Sequence, residues 1–212
     1  MIEFLMAIFE FLGLDYTLKA TNWNRCTKTV EDFAINQKYE IFINGADTPD
    51  REKKYFVTKP IYTTHQGVFF STKKFPNGPK IFSQNDLKNY KICGVRGNDY
   101  SNIGLSRDDF FTTGKTIDLV LSMLSHGRCE IVVSSMEPVY GSKLTGDSML
   151  PKDVSSFLLP NTKNPTFNIF ISKGSPRGKV LQEKINQAIT TLKERGVWDQ
   201  IFNKYQALLR AN

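Results

Sequence analysis

The sequence predicts an α/β protein built from two successive sets of strand–helix units, and three observations lead there. Short, nearly all-apolar runs such as "YEIFING" and "CEIVVSS" read as strands buried on both faces. Amphipathic runs such as "TIDLVLSMLSHG" alternate with them. Glycine punctuates the joins, and strands alternating with helices imply βαβ crossovers and parallel sheets. Two such sets fall between Leu14 and Ser135, joined by the strand "GVFFST" at 67–72.

In order, "MIEFLMAIFEFLG" places Ile2, Leu5, Met6, Phe9 and Leu12 on one helical stripe with Gly13 as its stop. Glu3 and Glu10 interrupt the run and no basic region precedes it, so it does not read as a signal peptide. "LDYTLKAT" alternates as a strand, Trp23 follows in a loop, and a helix is expected over 27–37. "YEIFING" is the next strand, and the turn "GADTPD" delivers Arg51. After 67–72 comes the punctuated loop "KKFPNGPKIFSQ", then the strand "YKICGVRG". A helix is expected to open at Asn98 or Asp99. "TIDLVLSMLSHG" stops at Gly127, "CEIVVSS" is a strand, and "TFNIFISKG" alternates again. The tail reads as two helices separated by Gly196, with Leu181, Ile185, Ala188, Ile189 and Leu192 on one face.

The 212 residues suffice for one large domain or two small ones, and 40% hydrophobic with 23% charged residues is a globular composition. The net charge of +7 comes from lysines and arginines scattered along the chain. Without a basic stripe interleaved with aromatics, nucleic acid is not expected as a partner, and attraction to anionic solutes is. Cys26, Cys93 and Cys129 form no C-x-x-C pair, and His65 and His126 offer no zinc spacing, so neither a metal nor a cofactor is implied. No stretch approaches the ~20 apolar residues of a membrane span.

Several landmarks in this order resemble the periplasmic amino-acid-binding proteins of ABC importers, the polar-amino-acid group of extracellular solute-binding proteins. They are "FLMAIFEFLGLDYTL", "DFAINQKYEIFINGADTPDREKKYFVTKPIYTT", "ICGVRGNDY", "HGRCEIVVSSMEP" and "LQEKINQAITTLKERGVWDQIFNKY". The resemblance implies two doubly wound lobes of the type II periplasmic binding architecture joined by a two-segment hinge. The first would be residues 1–67 with 170–212, the second 68–169.

On that plan Thr48-Pro49-Asp50-Arg51 matches the family's carboxylate-binding turn. A guanidinium makes two parallel charge-assisted bonds to a carboxylate, a geometry lysine cannot copy. Asn44, Gly45, Ala46 and Asp47 form the strand-end turn beside it, and Trp23 occupies a loop where the family places a ring against its ligand. In the second lobe the resemblance points to Arg96, Asn98 and Asp99 at a helix N-terminus, and to Ser135 and Glu137 after a strand. Cys93 and Cys129 flank strands that this plan would set side by side, which leaves a disulfide or two buried thiols open.

The departures concern the ligand's ammonium. Ala46 stands where the family has a hydroxyl, and Ser134-Ser135 where it has an aspartate. A further contact would come from a strand preceding Met1, whose loss would leave the strand after Gly13 more exposed. An unpaired buried cation is expensive, so Asp47, Asp99 or Glu137 would have to substitute. The resemblance implies a monomeric, periplasmic, non-catalytic protein that binds a carboxylate-bearing solute between its lobes and serves an ABC transporter membrane component or a membrane sensor. The alternatives are an enzyme on the same fold, dehydratase-like, with Glu137 or Asp99 as acid, and a sensory module that has lost its ligand.

Overall fold

The computed structural model describes the backbone of residues 2–146 and 148–211, and the side chains of all these except 145 and 205–211. The strands are β1 (Ile41–Ala46), β2 (Tyr55–Val57), β3 (Tyr62–Thr63), β4 (Gln66–Ser71), β5 (Ile92–Val95), β6 (Phe110–Gly114), β7 (Ile131–Ser135), β8 (Val154–Leu158) and β9 (Thr166–Ser172). The helices are α1 (Ile2–Phe11), α2 (Trp23–Glu31), α3 (Phe33–Asn36), α4 (Pro49–Lys54), α5 (Ile117–Ser125), α6 (Met136–Gly141), α7 (Gly178–Glu194) and α8 (Val197–Ala211). The chain divides into two compact units: residues 1–63 with 166–212, and residues 64–165.

Unit 1 is organised around β9, the alternating run "TFNIFIS". β1, β2 and β3 all pair with it antiparallel, so this sheet is not the parallel one expected from βαβ reasoning. The reason is connectivity: the central strand returns from the far end of the chain and runs against the three it joins. Alternation sends Ile169 and Ile171 to one face and Phe170 to the other. The first face meets Phe4, Leu5, Ile8 and Phe9 of α1 and Leu181, Ile185, Ala188, Ile189 and Leu192 of α7. The second meets Val30, Phe42 and Tyr55. The α1 stripe is shifted from the one predicted: Ile2 is 53% exposed and Met6 37%, while Phe4 and Ile8 are buried. With apolar residues nearly all round, the periodicity did not single out one face.

Residues 14–22 form no strand, contrary to the alternation of "LDYTLKAT", and 15–22 are exposed. Trp23 lies not in a loop but at the first position of α2, behind the N-cap Asn22, whose side chain accepts the N–H of Asn24 at 3.1 Å.

Unit 2 carries a mixed sheet in the order β6-β5-β7-β4-β8. β5 lies parallel to β6 and β7, while β4 is antiparallel to both β7 and β8. β6 and β8 were not foreseen, since threonine- and serine-rich segments carry little apolar signal. Val68, Ile92, Ile131 and Val133 pack on one face, and Phe69, Cys93 and Val132 on the other, under Val120, Leu121 and Leu124 of α5. Cys93 and Cys129 form a disulfide. Among the described residues no helix is long and apolar enough to cross a membrane.

Candidate functional site

In unit 1 the site begins with a defect in β1. The ladder to β9 slips between Ile43 and Gly45, and Asn44 occupies the bulge with φ of 66°. Residues other than glycine seldom take that conformation, and bulges re-aim the chain at functional sites. The Asn44 amide oxygen accepts the Tyr62 hydroxyl at 2.7 Å. Gly45 is buried, and a Cβ there would meet the Phe170 ring at 2.5 Å, so the close approach demands glycine.

The chain then passes Ala46 and Asp47 to Thr48, the N-cap of α4. The Thr48 hydroxyl accepts the N–H of Arg51 at 3.4 Å, and Pro49 pre-sets the first helical position. Arg51 is therefore placed by a capped turn. Its Nη1 donates to the Ala46 carbonyl. Its guanidinium carbon lies 5.1 Å from the centre of the Trp23 ring and 5.7 Å from that of Phe170. Those rings belong to one cluster: Trp23 meets Phe42 edge-on at 5.6 Å, and Phe42 stacks on Phe170 at 4.6 Å. Tyr55 closes it from the side, 5.0 Å from Phe42, and donates its hydroxyl to the Thr27 carbonyl at 3.0 Å. Burial, with the Glu31 carboxylate adding and Arg51 opposing, pushes the Tyr55 hydroxyl up to about 12, so it stays a proton donor at ordinary pH. Ala46, which lacks the expected hydroxyl, contributes its carbonyl instead.

In unit 2 the helix expected at Asn98 or Asp99 does not form. Residues 101–103 make a single 3₁₀ turn that ends at Gly104 with φ of 70°. The cause is Tyr100, which turns inward to the core while its hydroxyl accepts the N–H of Val95 at 2.8 Å. The N–H of Asn98 donates to the Val95 carbonyl at 3.2 Å, and its side chain meets the Tyr100 hydroxyl. Asp99 accepts the N–H of Ser101 at 2.9 Å. Both residues build the turn.

The Ser135 hydroxyl bonds that of Thr64 at 2.7 Å. Glu137 accepts the backbone N–H of His65 with both oxygens, each at 3.0 Å, and its Oε1 lies 2.6 Å from the His65 ring. Arg96 is exposed, and among the described residues its side chain has no hydrogen-bond or ion-pair partner. Phe170 and His65 were missed by sequence reading. The alternation of "TFNIFIS" was the one signal for Phe170, and nothing in the sequence linked His65 to a residue 72 positions away.

The architecture has many solved counterparts. The arginine-, lysine-, histidine-binding protein ArtJ from Geobacillus stearothermophilus superposes with a TM-score of 0.72 at 16% identity, covering 96% of this chain and 84% of that one. The substrate-binding protein AbpA of an amino acid ABC transporter of Streptococcus pneumoniae, bound to L-arginine, gives 0.72 at 19%, covering 96% and 81%. A histidine kinase sensor domain with similarity to periplasmic binding proteins gives 0.74 at 16%, covering 96% and 84%. At such identities the likeness shows the fold. No curated relative matches in sequence. Residues 1–207 match the family model of bacterial extracellular solute-binding proteins, family 3, and the chain belongs to that family.

Proposed function

We propose that this chain captures a small carboxylate-bearing solute, without catalysis, for an ABC importer or a membrane sensor. The observation that carries the reading is Arg51: a guanidinium held by a capped turn, tied to the Ala46 carbonyl and backed by Trp23 and Phe170. Arginine has five N–H donors in a planar fork, so it can serve a carboxylate as well as its own backbone. Family membership supports binding over turnover. The acids available to an enzyme, Asp99 and Glu137, are bonded to the N–H groups of Ser101 and His65. The Cys93–Cys129 bridge agrees with work in an oxidising compartment, the periplasm. On this reading the ligand shifts the population toward the state that binds it best, and import and sensing share the capture step.

Thermal unfolding against a panel of amino acids, their analogues and organic acids tests the reading. A ligand at about 100 times its Kd adds roughly 2.7 kcal/mol, or about 5–10 °C for a chain of this size. Arg51→Ala and Arg51→Lys should both abolish the shift. A ligand that stabilises Arg51→Lys as well as the parent would remove the arginine from the site.

A further inference from the structure

We propose that the end of the unit 2 sheet where β5 and β7 begin is a docking surface for an anionic lipid bilayer. This goes beyond the capture reading and does not depend on it, because Arg96 and Ser135 lie at the opposite ends of those two strands.

Strand register gathers the cations. Phe70 pairs with Ile131, Ile131 with Ile92, and Ser71 with Val154, so β4 ends where β5, β7 and β8 begin. Within three residues of those strand ends stand Lys73, Lys74, Lys91, Arg128 and Lys152, all exposed. Two carboxylates sit among them. Asp153 meets the Lys73 ammonium at 3.3 Å and accepts the hydroxyls of Ser71 and Ser125 at 3.2 and 2.6 Å. Glu130 meets the Lys74 ammonium at 2.7 Å and accepts the N–H of Lys91 at 2.8 Å. Both acids are recessed: side-chain exposure is 16% for Asp153 against 75% for Lys73, and 23% for Glu130 against 51% for Lys74. The side chains of Arg128 and Lys152 have no hydrogen-bond or ion-pair partner among the described residues. On the approach to β6, Arg107 beside Asp108 and Lys88 paired with Asp109 at 3.1 Å add no net charge. The solvent side of this end therefore shows positive charge in excess, which draws an anionic surface.

A ring accompanies the charge. Ile92 opposes Phe110 and Cys93 opposes Thr112, so Phe111 is the extra residue of a bulge in β6, and bulges re-aim side chains. Phe111 is 61% exposed, with the Lys91 ammonium 5.1 Å from the centre of its ring. An acidic peptide would engage the cations alone. One isolated ring is also too few for a base-stacking platform, which sets successive aromatics along a basic groove. A bilayer offers anionic headgroups to the cations and an apolar layer beneath them to the ring.

Co-sedimentation of the purified chain with phosphatidylcholine vesicles, with and without phosphatidylglycerol, tests this. The parent should bind the anionic vesicles alone and leave them in high salt. Arg128→Ala with Lys152→Ala should weaken binding about tenfold or more. Lys19→Gln with Lys38→Gln, an equal charge change on exposed residues of unit 1, should weaken it about twofold at most. Phe111→Ser should weaken vesicle binding severalfold, yet bind poly-L-glutamate and a single-stranded oligonucleotide as the parent does. All the substituted side chains are exposed, and circular dichroism checks that the variants fold. Absence of binding to anionic vesicles, or an equal loss in the two double variants, overturns the inference. Soluble polyanions bound as tightly as the vesicles, with Phe111→Ser altering neither, overturn the bilayer as the partner in favour of an acidic polymer.

Discussion

The two units solve the same problem, fixing a small sheet, by different means. Unit 1 is assembled from distant pieces: β9 joins β1 from 125 positions away, and Glu40, just before β1, is clasped by Arg177 at the start of α7 with Nη2 and Oε2 2.5 Å apart. Unit 2 is one continuous stretch stapled by a disulfide whose cysteines lie 36 positions apart. The arginines differ in parallel. Arg51 is positioned by a bulge, an N-cap and two rings, while the Arg96 side chain is exposed and has no hydrogen-bond or ion-pair partner among the described residues. Long-range packing in unit 1 therefore prepays the ordering of its charged group.

The largest expected effect breaks unit 1. Phe170 is fully buried, stacked on Phe42 and lying under Arg51. Phe170→Ala should cost about 3–5 kcal/mol, lowering the melting temperature by roughly 6–20 °C, and should loosen Arg51 as well. A melting temperature within about 2 °C of the parent would show that the ring cluster does not support the unit. The next effect belongs to unit 2. Closing a loop of 36 residues stabilises by roughly 2–4 kcal/mol, so Cys93→Ala with Cys129→Ala should lose about that much. Peptide-level hydrogen exchange should place the loss within residues 64–165 and leave β9 peptides unchanged. Faster exchange in β9 would show that the two units do not open independently.

The same contrast explains what the sequence made legible. The buried strands β1, β5, β7 and β9 and the helices α5 and α7 were readable because each carries its own apolar period. β2 and β3 are two or three residues long, and β6 and β8 exist through their partners, so local pattern could not reveal them. "LDYTLKAT" failed in the opposite sense: it has a strand's alternation and no ladder. At the candidate site, the resemblance of Thr48-Pro49-Asp50-Arg51 to the family's turn pointed to Arg51, and the capped turn that places it is local chemistry. The ring floor beneath it depends on a residue 119 positions further on (170 less 51), which no spacing encodes. Glu137 and Asp99 were named as ammonium acceptors from their place along the chain; the hydrogen bonds that occupy them are properties of the fold.

The smallest expected effect sharpens the comparison by asking whether the Glu40–Arg177 clasp does for unit 1 what the disulfide does for unit 2. Burial of Glu40 works to raise its pKa, but hydrogen bonds from Arg177 and Ser175 and the guanidinium charge outweigh it and hold the carboxyl below its ordinary 4.5. Above that value Glu40 is ionised in both the folded and the unfolded chain, and the clasp contributes in full. As pH falls through 4.5, the unfolded chain takes up the proton first, so the contribution is lost toward the lower folded value. Urea midpoints measured from neutral pH down to pH of about 3 should therefore fall more steeply for the parent than for Glu40→Gln, which has no proton to gain there. Parallel curves would mean that the pairing adds nothing to stability, as for many surface ion pairs. Unit 1 would then owe nothing in this pH range to the Glu40–Arg177 pair, and the packing of its helices and strands on the two faces of β9 would do for it what the covalent bridge does for unit 2.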